Sequence, residues 1–594
     1  MKKRAADILM STLVDLGVTD CFAVVGGGAM HLDNALALNT DMDKYFMHHE
    51  QSCSMAADSY ARISGKPALV CVTSGPGATN AITGVMGAWV DSVPMIVISG
   101  QVRYGISVHS SGLPLRYRGA QEFDIITSVA NMTKYAKMVT DPLEIKAEVK
   151  KAYDIAMEGR RGPVWLDIPL DVQSALIETD DLVDYEPIDC TVDNLEQESD
   201  YVKDAIKNAK RPCILIGSGI IAGGAREELD AFMNDACVPV VGGAHIADVY
   251  YNDHPFFFGL SGNIGPRAGN YILQNADLIL TIGSSLGFKQ TGFEQDNFAP
   301  NAQIIMVDAD ENEPKKPGLH VDHYVKSDVK QFLQSMTARA SELVAPSDWV
   351  DYCTKVYEEL DPFEGADGID ENERVCSYVF WKEYRETAPE DAIVCLGNNT
   401  AASAKVQVGK DKKEQRVVTN YGAGSMGFDL PASIGACVAA GREVICITGD
   451  GSIMMNLQEL QTIRYYDLPI KLIIFANDGY NAMRQTCSNF FDGVYIGCNA
   501  ETGISFPSFQ MVADLFGFDY LHCKTNADLE EALKLFNERE GRVLLEIDQR
   551  LDDPVVPKLM SKMLEDGTFV TPSLEDLSPF LPEDKQQELM PKWA

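Results

Sequence analysis

The sequence predicts an α/β fold of three doubly wound parallel-sheet domains. Two observations predict it. Short apolar, β-branched runs recur along the chain, each closing on Gly, Ser or Asp, with helix-like segments between them. Two acidic stretches without strand pattern then cut this rhythm into three units. Uninterrupted apolar strands alternating with helices are buried on both faces, as in parallel sheets. Length agrees, because 594 residues exceed what one core serves and domains of roughly 100–200 residues are usual.

The first unit, 1–175, holds ALVCVTS (68–74), PMIVISG (94–100) and PVWLDIP (163–169). The acidic stretch 176–200 reads as a surface linker. The second unit, 196–345, holds PCILIGS (212–218), DLILTIG (277–283) and IIMVD (304–308). A second acidic linker is expected at 345–372. The third unit, 371–550, holds AIVCLG (392–397), EVICITGD (443–450), KLIIFAND (471–478) and RVLLEID (542–548). The Pro-, Leu- and acid-rich tail, 551–594, is expected to pack as an arm. At the start, Met1-Lys2-Lys3-Arg4 has the charge of a signal peptide, but Asp7 and Asp15 make the next stretch an amphipathic helix. No run of 18 apolar residues occurs, so no membrane span is predicted and a cytoplasmic protein is expected.

Composition is that of a globular protein, with 46% hydrophobic and 23% charged residues. The net charge of −37 repels nucleic acid and anionic membranes. It also repels anionic substrates, so a site for one must supply local positive charge from a metal, helix N-termini or backbone amides. The 14 cysteines form no CxxC pair and several lie in apolar runs. They read as buried small hydrophobes in a reducing compartment.

The densest candidate site is in the third unit. One strand ends in Gly449-Asp450-Gly451-Ser452, another in Asn477-Asp478-Gly479, with 26 residues between Asp450 and Asn477. Ligands bind at the carboxyl ends of parallel strands. A carboxylate and an amide oxygen there suit a hard divalent cation sharing a diphosphate, and the glycines let backbone approach phosphate. The first unit adds Glu50, in Met47-His48-His49-Glu50-Gln51 before a small-residue helix, and the turn from Thr73 to Asn80, TSGPGATN, which includes Pro76 and Gly77.

In this order the motifs resemble the acetolactate synthase (acetohydroxyacid synthase) family of thiamine-diphosphate enzymes, along nearly the whole chain. The likeness is dense at HEQ, TSGPGATN, DSVPMIVISGQV (91–102), GSMGFDLPASIGA (424–436) and GDGSIMMNLQEL. It implies pyrimidine-binding, middle and diphosphate-binding domains, and a homodimer or homotetramer whose sites pair the first domain of one subunit with the third of another. It implies that Glu50 bonds the aminopyrimidine and so activates the thiazolium carbon, which attacks a 2-oxo acid that then loses CO₂. Asp450, Asn477 and the Gly479 carbonyl would hold Mg²⁺ on the diphosphate. Gly397, Asn398, Asn399 and Thr400 resemble a second diphosphate turn, and Met426, after Gly424, the prop that bends the cofactor. Tyr480 and Asn481 follow the metal-binding turn. Gly27, Gly28 and Ala29 resemble the loop beside the reacting carbon, and Gln121 a site glutamine. His31 and Met483 are expected to line the substrate pocket. The family has two adjacent Asn where this chain has Asn477-Asp478.

Three departures bear on the acceptor. Ala120 stands where the family has a bulky aromatic, and Thr486 near the family tryptophan that selects small 2-oxo acids. Both changes open the pocket. The stretch 101–122 is long and carries Arg103, Arg116 and Arg118, residues suited to phosphate or carboxylate. The tail resembles relatives from polysaccharide clusters, some of which add a two-carbon unit from pyruvate to a nucleotide-linked keto-sugar. The favoured expectation is such a keto-sugar acceptor. The alternatives are acetolactate formation from two 2-oxo acids and, in another class, a non-catalytic nucleotide-binding or regulatory protein on the same fold. FAD, which the family holds in its middle domain, is left open: GSGIIAGG (217–224) lacks the dinucleotide pattern, and the family's charged segment reads here as Gly283-Ser284-Ser285-Leu286-Gly287-Phe288.

Overall fold

The computed structural model describes residues 2–187, 194–244, 246–249, 253–563 and 568–590. Within them lie three six-stranded sheets, each with all its strand pairs parallel. With strands numbered along each unit, the first and third sheets share the order 2-1-3-4-6-5, an internal repeat. The middle sheet has the order 3-2-1-4-5-6, that of dinucleotide-binding sheets, in which ligands bind where strand order reverses.

The expected double-sided burial is present. In the strand Leu69–Val72, Leu69 and Cys71 pack into one core, Val70 and Val72 into another. That second core is shared between units. It runs from Val70 and Val97 of the first sheet to Leu472 and Ile474 of the third, through the helices Glu50–Ser64 and Asp429–Ala440. All ten expected strands form. The other eight strands of the three six-stranded sheets, such as Asp43–Phe46, Phe257–Leu260 and Asp519–Cys523, are the sheet edges or lie next to them. Edge strands are short and partly wet, so they lack the continuous apolar signal.

The two linkers are more structured than expected. Leu176–Glu178 is a strand pairing with Lys2–Arg4, and Leu195–Asn208 is a helix; residues 188–193 lie outside the described residues. In the second stretch Ser347–Glu359 is a helix that buries Trp349, Tyr352, Cys353 and Val356. Those four apolar residues lie on one helical face, and the surrounding acids hide them from a composition-based reading. The arm is strapped to the middle unit. Leu559, Leu574 and Leu577 join its core, and buried Arg267 donates to the Leu577 and Pro579 carbonyls (2.8 and 2.6 Å).

Middle and third units are pinned by Asp248, whose carboxylate accepts from Arg226, from Arg416 (2.9 Å) and from the Val417 amide (2.6 Å). Of the described cysteines all are free and all but Cys237 are buried, as expected. Among the described residues no helix is long and apolar enough to cross a membrane.

Candidate active site

In the first unit the loop after the strand Asp20–Ala23 and the loop after the strand Leu69–Val72 are interlocked. The Gly28 amide donates to Thr73 Oγ1 (3.0 Å), and a Cβ on Gly26 would lie 2.5 Å from that of Thr73. The Thr73–Asn80 turn leads into the helix Pro76–Asn80 through Gly75, whose φ is +60°. Glu50 opens the helix Glu50–Ser64, where the helix dipole favours a carboxylate. It is 8% exposed and accepts from Asn80 Nδ2 (2.9 Å). A Cβ on Gly77 would come within 3.3 Å of the Glu50 carboxylate. Gln121 has a left-handed φ of +57°, and its carbonyl packs onto Gly75, where a Cβ would lie 2.3 Å away. Glu50, Gly28, Thr73, Pro76, Gly77, Asn80 and Gln121 thus meet at one edge of the first sheet.

The third unit gathers the other half. The strands Val444–Gly449 and Ile470–Ala476 are neighbours in parallel register. Asp450 accepts from the amides of Gly451 (2.7 Å), Asn477 (3.0 Å) and Gly479 (3.3 Å). Burial pushes its carboxyl up to about 6 against the pull of these amides. Gly479 is required, because a Cβ would lie 1.9 Å from the Cys498 carbonyl. A Cβ on Gly451 would sit 2.3 Å from the Tyr480 ring and 3.5 Å from Met426 Cε, so these three form one close-packed cradle. The Gly427 amide donates to Ser452 Oγ (2.9 Å), which donates to Asp429 (2.7 Å). Asn398 Nδ2 donates to the Gly424 carbonyl (2.7 Å), and Gly449 lies against Asn399, where its Cβ would be 3.3 Å from the Asn399 Cβ. Gly397 faces Asp429 so closely that a Cβ would overlap its carboxylate. Asn481 Nδ2 donates to Thr400 Oγ1 (3.1 Å).

Two polar atoms of this cradle, Asn399 Nδ2 and Asn481 Oδ1, are buried with no protein partner. Buried polar atoms without partners are costly, and these sit where a polar ligand would satisfy them. Asp450, the Asn477 amide oxygen and the Gly479 carbonyl are all oxygen donors suited to Mg²⁺. Arg484 donates to both the backbone and side-chain oxygens of Asn477 (2.8 and 3.3 Å).

Several expected pocket residues sit differently. Ala29 is fully buried in the core of the first unit, with Leu32 and Leu36, so its methyl packs the loop rather than lining a pocket. His31 lies near Arg4, and burial followed by that charge lowers its pKa. Arg118 spends its guanidinium on its own loop, donating to the Ser107 carbonyl (2.9 Å) and Ser110 Oγ (3.2 Å). Arg116, Ala120 and Met483 are exposed, and the Thr486 hydroxyl bonds back to the Ala482 carbonyl (2.9 Å). No hydrogen bond or ion pair joins Glu50, Asn80 or Gln121 to Asp450, Asn477 or Thr486 within the chain.

Sequence reasoning missed Gln549 and Asp553. Gln549 is fully buried and accepts from Asn477 Nδ2 (2.9 Å), fixing that side chain; its Nε2 donates to Asp553 (2.8 Å). Its signal was its place, the residue after RVLLEID on the strand beside that of Asn477.

At the switch point of the middle sheet, a cleft of ≈ 330 Å³ opens between first and middle units. Gly217 and Gly283 touch there, Ser218, Gly219 and Arg161 line it, and burial raises the Asp308 carboxyl. The neighbouring Arg160 and Lys316 are already paired with Glu313.

This architecture defines a class. Residues 3–126 match the N-terminal TPP binding domain of thiamine pyrophosphate enzymes, 200–336 their central domain, and 396–547 their C-terminal TPP binding domain. The chain is 30% identical over 561 residues to the acetolactate synthase isozyme 2 large subunit of Escherichia coli, spanning 92% of this chain and 97% of that one. It is 31% identical over 523 residues to the acetolactate synthase large subunit of Corynebacterium glutamicum (86% and 81% covered). It is 30% identical over 589 residues to the chloroplastic acetolactate synthase 1 of Zea mays (94% and 87%). The chain belongs to the acetolactate synthase family of thiamine pyrophosphate enzymes and is a thiamine-diphosphate-dependent carboligase.

Proposed function

We propose that this enzyme decarboxylates pyruvate and joins the two-carbon unit to the carbonyl of a second 2-oxo acid, as an acetolactate synthase does. The observation that carries this is the pairing of two half-sites: a buried carboxylate, Glu50, held at the edge of the first sheet, and an Asp450–Asn477–Gly479 oxygen set at the same edge of its repeat, the third sheet. The relatives support the reaction type.

Bound thiamine diphosphate supplies the nucleophilic carbon and the electron sink for decarboxylation. The chain's residues do the rest. Glu50, fixed by Asn80, holds the proton relation to the aminopyrimidine. Asp450, Asn477 and Gly479 fit Mg²⁺, which neutralises the diphosphate in an acidic protein. Asn398, Asn399, Thr400, Gly424, Ser452 and Asn481 fit the diphosphate, and Met426 with Tyr480 the bend of the cofactor. Gly27, Gly28 and Gln121 would lie beside the reacting carbon of the bound cofactor. Because no hydrogen bond or ion pair joins Glu50, Asn80 or Gln121 to Asp450 or Asn477 within one chain, a second copy completing each site is the arrangement we favour. The exposed Phe490, Phe491 and Ile496 support it, as apolar surface suited to burial between copies. The switch-point cleft, with its Gly loops and Arg161, fits the phosphates of a nucleotide; its lining does not by itself select a flavin.

A second reading, with a nucleotide-linked keto-sugar as acceptor, draws on Ala120 and Thr486, which leave the acceptor side without bulk. The deciding experiment gives the enzyme thiamine diphosphate, Mg²⁺ and pyruvate, with and without a panel of keto-sugars, and measures CO₂ and product mass. Acetolactate without any sugar is expected. CO₂ release that yields only a two-carbon sugar adduct would replace the first reading by the second.

A further inference from the structure

The stretch 101–123 is the least regular part of the first unit, yet it must present Gln121 to the site. One residue holds it. The Glu122 carboxylate accepts from three backbone amides: Val108 on one oxygen, and Arg118 (2.8 Å) and Gly119 (2.9 Å) on the other. These amides come from both limbs of the loop, so a single side chain closes it. The closure is tight. A Cβ on Gly119 would come within 2.8 Å of Val102, and Arg118 reaches across to the Ser107 carbonyl. On the far side, Gln101 Nε2 donates to the Phe123 carbonyl (3.0 Å). Between these two anchors Gln121 takes its left-handed φ of +57°, a conformation that a non-glycine residue keeps only when its surroundings impose it. Its carbonyl is pressed on Gly75, two residues from the Gly77 that touches Glu50.

We infer that Glu122 is a positioning residue: its carboxylate clamps the loop so that Gln121 is held left-handed over Gly75, at the donor end of the site. The inference rests on the reading of Gln121 as a residue that meets the 2-oxo acid. A single carboxylate serving three backbone amides is a strong clamp. Removing it takes that partner from the Val108, Arg118 and Gly119 amides, of which Gly119 is buried and Val108 partly so.

The test uses the full-length enzyme loaded with thiamine diphosphate and Mg²⁺, and follows pyruvate turnover. Glu122→Ala should raise KM for pyruvate about tenfold, move kcat less than threefold, and leave cofactor affinity unchanged. Glu122→Asp should recover part of the loss. Limited trypsin digestion at Arg116 and Arg118 should speed up in Glu122→Ala. If Glu122→Ala does not fold, Glu122→Gln, which keeps the volume and one acceptor, takes its place. The decisive comparison is a double-mutant cycle with Gln121→Ala. If Glu122 acts through Gln121, the double variant is no worse than Gln121→Ala alone. Losses that add, or faster digestion with an unchanged KM, would overturn the positioning role and leave Gln121 in the site. An unchanged KM in Gln121→Ala would instead remove Gln121 from the site, and the inference with it.

Discussion

Gly435 of the helix Asp429–Ala440 rests on the carbonyl of Ala56 in the helix Glu50–Ser64, so closely that a Cβ at 435 would lie 1.9 Å from that oxygen. Ser59 Oγ, which donates to the Ala432 carbonyl (2.6 Å), would be 2.5 Å away. This contact joins the first and third units, and it fixes both the helix that begins with Glu50 and the helix that follows Met426. Gly435→Ala should therefore destabilise the protein by roughly 1–3 kcal/mol, the usual cost of overpacking. Thermal unfolding of holoenzyme measures it. A variant as stable as the parent would show that the helices can part without cost.

Glu50→Gln keeps the size of the side chain and its contact with Asn80 but removes the charge. CO₂ release from pyruvate should fall by about 10²–10⁴-fold, the range for loss of a proton-transfer group, with folding and cofactor affinity preserved. Stopped-flow or coupled assays read the rate, and circular dichroism the fold. An unchanged rate would end the role assigned to Glu50.

Asp450→Ala removes one proposed metal ligand and the acceptor of three amides. Affinity for thiamine diphosphate in the presence of Mg²⁺ should weaken by roughly 10–100-fold. Titration calorimetry with Mg²⁺ held in excess checks it. Binding as tight as in the parent would move the metal elsewhere.

Asp167 gives a pH prediction. It is fully buried, and burial pushes its carboxyl up to about 7 even though Ser99 Oγ (2.6 Å) and Gln101 Nε2 (3.0 Å) donate to it. The unfolded chain releases this proton near 4. Between the two values the folded state holds a proton that the unfolded state has lost, so stability falls as pH rises through this window. It is full below about 4 and lowest above about 7. Melting temperatures at pH 5 and pH 8 should differ less in Asp167→Asn than in the parent. Equal differences in both would remove Asp167 as the source.

The sequence by itself determined the three units, their parallel sheets and the identity of the chemical groups. Central strands such as Val444–Gly449 and Pro163–Pro169 are buried on both faces, so their composition alone marks them. Glu50, Asp450 and Asn477 stood out because their motifs fall at strand ends and helix starts, where parallel sheets bind ligands. The tertiary structure decided what depends on neighbours distant in sequence. It showed edge strands whose exposure dilutes the apolar signal, and a helix, Ser347–Glu359, whose burial is visible only once its partner is known. It placed Ala29 in the core and turned Arg118 back onto its own loop. It also brought Gln549 to Asn477 and three amides to Glu122. Those are choices between partners, and a partner is set by packing and hydrogen-bond geometry in space, which spacing along the chain does not encode.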